Sequence, residues 1–280
     1  LFPRRKTVAP RWVFEIAGGA PTVRPSDSRI RSAPKPRTLH PSRQIMSASK
    51  VIIVTGASQG IGAATVDAFR ARGHRVVATS RSIGPSNDPD LVTVAGDIGD
   101  AAVARRVVDA AIERFGRVDT LVNNAGIFIA KPFTQYTADD YAQITNVNLS
   151  GFFHVTQHAI AAMQKHGGGH VVSITTSLVD HANNNVPSVL ASLTKGGLNA
   201  ATKSLAIEYA KAGIRVNAVS PGIIKSPMHA PETHATLASL HPVGRMGEMS
   251  DIVDAILYLD SAQFVTGEIL HVDGGQSAGH

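Results

Sequence analysis

The stretch Val51-Ile52-Ile53-Val54-Thr55-Gly56-Ala57-Ser58-Gln59-Gly60-Ile61-Gly62 decides the fold. Its first four residues are apolar and β-branched without alternation, the pattern of a strand covered on both faces of a parallel sheet. A glycine-rich turn follows at once, and then a helix-period stretch over 61–72. Where a strand turns sharply into a helix, Gly56 permits the tight turn, Gly60 lets the backbone approach a ligand, and Gly62 lets the helix pack on the sheet. The new helix offers unpaired N–H groups and the positive end of its dipole to an anion. Tight packing alone would also account for three glycines, but the strand before and the helix after favour a turn that holds a pyrophosphate.

Outward from that turn, strand-like runs recur at 75–79, 92–95, 120–123, 170–175, 214–219 and 268–272. Helix-period stretches separate them at 101–115, 138–144, 152–164, 190–212 and 250–259. Such alternation argues an α/β fold: a single Rossmann-like doubly wound domain over residues 46–280, with a seven-stranded parallel sheet and helices on both faces. No internal repeat or second linker interrupts it.

Composition narrows the function classes. The 280 residues are 43% hydrophobic and 17% charged, which excludes wholesale disorder, collagen and coiled coil. There is no cysteine, so disulfides, thiolate zinc sites, iron–sulfur clusters and a cysteine nucleophile are all absent, as suits a cytoplasmic protein. No apolar run reaches the roughly 18 residues of a membrane-spanning helix. The net charge of +6 divides unevenly: residues 1–45 carry ten Lys/Arg against Glu15 and Asp27, leaving seventeen basic and nineteen acidic side chains in the rest. A nucleic-acid footprint requires a basic stripe on the folded part, so neither nucleic acid nor membrane is expected as a partner.

Residues 1–45 form a basic arm with seven prolines and no sustained period, expected to be disordered. A transit peptide needs an amphipathic helix that these prolines interrupt. A native tail is the second reading. The preferred one is an upstream-translation artefact or cloning remnant, since Met46 stands just before the first strand.

The spacing Gly-x-x-x-Gly-x-Gly differs from the usual dinucleotide fingerprint. With Thr55 in front, it resembles the short-chain dehydrogenase/reductase family, and the resemblance covers nearly all of residues 50–275. It includes Asn123-Asn124-Ala125-Gly126, Asn148 within Asn146-Val147-Asn148-Leu149-Ser150-Gly151, Pro221-Gly222, and Val272-Asp273-Gly274-Gly275. The resemblance implies a nicotinamide dinucleotide held by Gly56, Ser58, Gln59, Gly60, Ile61 and Gly62. It further implies Asp97 and Ile98 at the adenine, Asn124 and Ala125 at the ribose, and Ile224 and Ser226 at the nicotinamide carboxamide. Gly126, Pro221 and Gly222 would also bind the cofactor, and Lys195 would hold the ribose. An acid ending the second strand would bond a ribose 2′-OH and repel a 2′-phosphate. Ser80 and Arg81 stand there instead, so NADP(H) is expected to be preferred, with NAD(H) possible.

The same resemblance implies a tyrosine four residues before a lysine on one helix, a serine after the fifth strand, and an asparagine that steadies a proton-relay water. Lys195 takes the lysine's place and Asn148 the asparagine's. Ser177 is preferred over Thr176 for the serine. At the tyrosine's position stands Ala191, and a methyl group donates no proton. Three accounts follow. Another group replaces the phenol, from among Ser188, His181 and Lys195; or substrate or water carries the proton; or the fold binds NADP(H) without turnover, as a sensor or oligomer scaffold. General acid–base assistance contributes roughly 10²–10⁴-fold, so its loss need not abolish turnover. The expected substrate is a small-molecule carbonyl or alcohol.

By the same resemblance, residues 226–247 form a mobile substrate loop. Its histidines, His229, His234 and His241, lack a zinc spacing and are read as solvated or substrate-facing, so no metal is expected. Met228, Met246 and Met249 are read as gap-fillers, Asp139 and Asp140 as helix-start acids, and Gly167–Gly169 as a helix-stop turn. Leu198, Leu205 and Ile207 suit core and interface equally, and a homotetramer or homodimer is expected from the resemblance.

Overall fold

The computed structural model describes residues 49–227 and 229–279. The expectations for residues 1–45, for Met46 and for Met228 fall outside these.

Seven parallel strands form one sheet in the order β3-β2-β1-β4-β5-β6-β7. They are β1 (Val51–Thr55), β2 (Arg75–Ser80), β3 (Leu91–Ala95), β4 (Thr120–Asn123), β5 (Gly169–Ile174), β6 (Ile214–Pro221) and β7 (Ile269–Val272). Strand order runs outward one way from β1 to β3 and the other way from β4, so the reversal lies between β1 and β4. Ligands of doubly wound sheets bind at that crevice, beyond the carboxyl ends of the strands.

Alternate residues of each strand face opposite sides, and two cores result. On one side Val51, Ile53, Val77, Leu121, Val171 and Val216 pack with α2 (Ala101–Phe115), α4 (Gly151–Lys165) and Ala206 of α5 (Val189–Tyr209). On the other, Ile52, Val54, Val76, Val122, Val172 and Val219 pack with Val66 and Phe69 of α1 (Gly60–Ala71) and Ile252, Ile256 and Leu259 of α7 (Met249–Ser261). Residues 51–54 are fully buried, as their unbroken apolar character requires. Met246 is buried and Met249 packs against the second core, consistent with gap-filling.

Two helix-period stretches prove continuous. α3 (Ala138–Thr145) passes through a π turn, Asn146–Ser150, directly into α4. Thr137 and Asp140 form a capping box at the start of α3, which accounts for Asp140 as a helix-start acid. Gly167 and Gly168 have φ values of 81° and 140° and end α4 before β5. Leu198 is buried and Leu205 packs on the first core, so of the three candidate interface residues Ile207 alone is strongly exposed, at 78%. α6 (His234–Ala238) lies within the 226–247 segment.

The amino ends of the strands are tied by a buried polar cluster around Asp260 of α7. Its carboxylate pairs with Lys50 at 2.7 Å and accepts from the Thr120 hydroxyl at 2.7 Å. His170 Nδ1 lies 3.7 Å from it, and Arg215 donates to the Asp260 carbonyl. Burial pushes His170 down to about 4, so the imidazole is neutral in the fold. Burial alone would raise the Asp260 carboxyl, yet hydrogen bonds from its neighbours hold it well below the usual carboxylate range.

These shifts set the acid side of stability. Below about pH 6.5 an unfolded chain protonates His170 while the folded one does not, so stability falls as pH drops toward 4. The full shift corresponds to roughly 3 kcal/mol. Burial lowers His74 and His229 in the same sense. Denaturant unfolding at pH 7 and 4.5 should therefore show a marked loss in the wild type and a clearly shallower one in His170→Gln; equal slopes would contradict the buried neutral imidazole.

Candidate active site

The turn between β1 and α1 takes its shape from backbone that only glycine adopts readily. Gly56 and Gly60 have φ of 66° and 58°. A Cβ on Gly62 would lie 2.2 Å from the Gly56 carbonyl oxygen and 2.5 Å from Asn124 Nδ2, so its absence lets the start of α1 close on the residues that follow β1 and β4. The turn is anchored from β4: Asn124 Nδ2 donates to the carbonyls of Thr55 and Gly56, each at 3.0 Å. The Thr55 hydroxyl in turn accepts from the backbone N–H groups of Asn124 and Ala125. Gln59 precedes α1 in an extended conformation without capping its first turn by a side chain. The first N–H groups of α1 therefore receive no cap from the Gln59 side chain.

A cavity of about 300 Å³ opens over this turn. Gly56, Ser58, Gln59, Gly60, Ile61, Ser80, Arg81, Asp97, Ile98, Asn124, Ala125, Gly126 and Ser226 line it. A Cβ built on Gly60 meets nothing nearer than 3.9 Å, so that peptide faces open space. Asp97 is held by the N–H of Gly99 at 3.0 Å and by Asn146 Nδ2 at 3.3 Å. Arg81 is exposed at the end of β2 and joins no ion pair among the described residues.

A second cavity, about 360 Å³, continues from the first and shares Ile61, Asn124, Gly126, Ile127 and Ser226 with it. Ser177, Ala191, Lys195, Pro221, Gly222 and Ile224 line its inner part. Phe128, Leu178, Val186, Ile223, Leu237 and Leu240 form apolar walls. Lys195 is buried and donates to the Ile174 carbonyl at 2.6 Å; desolvation pushes its ammonium down to about 8. Ala191 stands one helical turn before it, with its methyl group against the cavity. Thr176 accepts from the Leu178 N–H at 3.3 Å, whereas Ser177 Oγ donates to Gln276 Oε1 at 2.9 Å.

Two expected residues, Ser188 and His241, stand elsewhere than the reading placed them. Asn148, in the π turn, lines neither cavity but lies behind Gly126, which lines both. Its Oδ1 accepts from Ile127 N–H at 2.9 Å, and its Nδ2 donates to the Ile127 carbonyl and to Thr194 Oγ1, each at 3.1 Å. It positions the Gly126–Ile127 strand end and α5; both ends of its amide are committed to protein. Ser188 precedes α5, whose first residue is Val189, so it does not share the face of Ala191 and does not line the cavity. His181 does line it. His241 is buried rather than solvated: Nε2 accepts from Ile223 N–H at 2.9 Å and Nδ1 faces the Leu237 carbonyl at 3.1 Å. It pins the segment that carries Leu237 and Leu240. No cluster of metal-ligating side chains exists among the described residues. Gln276 was invisible to sequence reasoning: it follows the Gly274-Gly275 pair but carries no spacing signal of its own.

Comparison with known proteins agrees with this geometry. A family described as enoyl-(acyl carrier protein) reductase matches residues 56–277. A 3-oxoacyl-[acyl-carrier-protein] reductase of Thermotoga maritima is 35% identical over 242 residues, 81% of this chain and 97% of that protein. A cis-4-hydroxycyclohexanecarboxylate dehydrogenase of Sinomonas cyclohexanicum is 35% identical over 247 residues, 82% of this chain and 98% of that one. Among solved structures, ElxO with NADP bound superposes with a TM-score of 0.76 at 28% identity, over 82% of this chain and 100% of that chain. A 3-ketoacyl-(acyl-carrier-protein) reductase from Brucella melitensis complexed with NADH gives 0.75 at 30% identity, over 81% and 98%.

The closed turn makes a direct test. Gly62→Ala must push the Gly56 carbonyl or Asn124 aside, and should cost roughly 1–3 kcal/mol of stability. Gly84→Ala, where nothing lies within 4 Å, should be neutral by comparison in the same urea titration.

Proposed function

The chain belongs to the short-chain dehydrogenase/reductase family, and on that premise we propose that it is an NADP(H)-preferring oxidoreductase with an atypical proton donor. Its substrate is a carbonyl or alcohol whose reacting carbon exchanges hydride with the nicotinamide. The observation that carries this reading is the pair of joined cavities, one over the glycine turn and one reaching Ser177 and Lys195.

The residues present fit a dinucleotide. Open backbone at Gly60, the uncapped first turn of α1 and Arg81 suit its phosphates. Ser80 and Arg81 in place of an acid support NADP(H) over NAD(H). The bound nicotinamide supplies or accepts the hydride. Ser58, Gln59, Gly60 and Ile61 hold the diphosphate side, Asp97 and Ile98 the adenine, and Ser226 and Ile224 the carboxamide side.

At the reacting oxygen the chain offers a hydroxyl, Ser177, and a desolvated amine, Lys195. An ammonium shifted to about 8 exchanges its proton near the working pH, which suits it to the role the absent phenol would take. Ser188 is withdrawn from that role by its position, leaving Lys195, with His181 on the cavity rim as the second candidate. Ala191 also favours one competing reading, a silent NADP(H)-binding sensor or scaffold.

No helix among the described residues is long and apolar enough to cross a membrane. With the lack of cysteine, this supports a cytoplasmic protein. Exposed Ile207 and Phe153 support assembly through α4 and α5 into a homodimer or homotetramer.

Arg81→Ala should weaken NADPH binding about tenfold, the loss of one charged hydrogen-bonding partner, and leave NADH nearly unchanged by fluorescence titration. Equal affinity of the wild type for both would refute the preference. Incubation with NADPH and a panel of aldehydes, ketones and quinones should oxidise the nucleotide, and Lys195→Ala should abolish this. Because reduction needs the protonated amine, its rate should fall as pH rises through about 8. Ala191→Tyr should raise activity. Tight NADPH binding with no turnover across the panel would favour the silent reading.

A further inference from the structure

The C-terminal turn after β7 delivers one side chain into the second cavity. Asp273 holds this turn by accepting from the N–H groups of Gly275 at 3.0 Å and Ser277 at 2.9 Å, and from the Ser277 hydroxyl. Gln276 between them is buried, and its amide spans two parts of the site. Nε2 donates to the Leu240 carbonyl at 3.2 Å, and Oε1 accepts from Ser177 Oγ at 2.9 Å. Gly222 makes room for it, since a Cβ there would come within 3.0 Å of Oε1.

The orientation of that amide follows from chemistry. A carbonyl oxygen such as that of Leu240 only accepts, so it must face the NH₂ end; turning the amide over would set oxygen against oxygen. Oε1 therefore faces Ser177, and only the serine can supply the proton between them. The Ser177 hydrogen points at Gln276, and the lone pairs of Oγ are what remain for the cavity. A ligand oxygen meeting Ser177 must then donate. An alcohol does so with the network intact. A ketone oxygen cannot, unless the serine turns its hydrogen away and leaves Oε1 buried without a partner, a costly arrangement.

The rest of the cavity describes the ligand's body. Its walls are Phe128, Leu178, Val186, Ile223, Leu237 and Leu240; among the described residues no acid or arginine lines it, and Lys195, His181 and His229 are its titratable side chains. Buried apolar walls favour an uncharged hydrocarbon frame.

We infer that this pocket selects a secondary alcohol with a bulky, uncharged apolar body over the matching ketone, and that Gln276 sets the preference by holding the proton of Ser177. The inference rests on the reading of this cavity as the substrate site and adds to it the favoured member of the redox pair. Gln276 is a positioning residue: it acts through Ser177 and ties that hydroxyl to Leu240 in the loop that walls the pocket.

The matched pair 1-tetralol and 1-tetralone tests this by calorimetry on the nucleotide-free full chain, where neither can react. The wild type should bind the alcohol about tenfold more tightly, the worth of one hydrogen bond that need not be broken. In Gln276→Leu the serine proton is released and the two affinities should converge within about twofold, chiefly through tighter ketone binding. Gln276→Asn, whose shorter amide cannot reach both partners, should do the same if the leucine variant fails to fold. NADPH affinity should stay at the wild-type value in both, because the amide of Gln276 bonds Ser177 and Leu240, neither of them assigned to the nucleotide. Equal or tighter ketone binding by the wild type, a preference that survives in the Gln276 variants, or no binding of either compound would overturn the inference. A separate NADPH titration of the same wild-type sample keeps that outcome distinct from a failure of the nucleotide reading.

Discussion

The contact between Gly62 and the carbonyl of Gly56 is the constraint from which the site follows. With no Cβ, the second residue after Gly60 lies against the first residue of the turn, where any side chain would stand 2.2 Å from oxygen. The chain can then reverse from a buried strand into a helix within a few residues. Thr55 and Asn124 hold the reversal by trading hydrogen bonds between β1 and β4, the two strands that border the switch in strand order. The first turn of α1 is thereby aimed into the crevice, and Ile61 at its start lines both cavities.

The opposite ends of the strands are organised differently. There the Asp260 cluster gathers Lys50, Thr120, His170 and Arg215, each at the start of its strand or just before it, and binds α7 beneath the sheet. At the open end Lys195 lines the second cavity. It has a backbone carbonyl for a partner and no carboxylate, so burial works on it unopposed. With an alanine one turn before the lysine, this amine and the Ser177–Gln276 pair are the polar groups that share the cavity with the Ala191 methyl group.

The fold was legible because its signals are local. Continuous β-branched runs mark strands covered on both sides, and their alternation with helix-period stretches leaves few topologies. The residues lining the cavity over the glycine turn were legible for the same reason: they sit at strand ends and in the adjoining turns, where sequence order and spatial order agree. Failures came where neighbours far along the chain decided the outcome. Ser188 misses the cavity by one residue of helix start, and His241 is claimed by two backbone groups.

The sequence by itself determined the strand that must be buried, the turn that only glycines can make, the absence of an acid after β2, and the replacement of a phenol by a methyl group at residue 191. These are properties of residue type and spacing, and tertiary structure does not alter them. Only the folded chain decided which way the Ser177 hydroxyl points. That direction is imposed by Gln276, nearly a hundred residues away, whose own orientation is imposed by the carbonyl of Leu240. A hydrogen bond has a direction as well as a partner, and long-range packing supplies both.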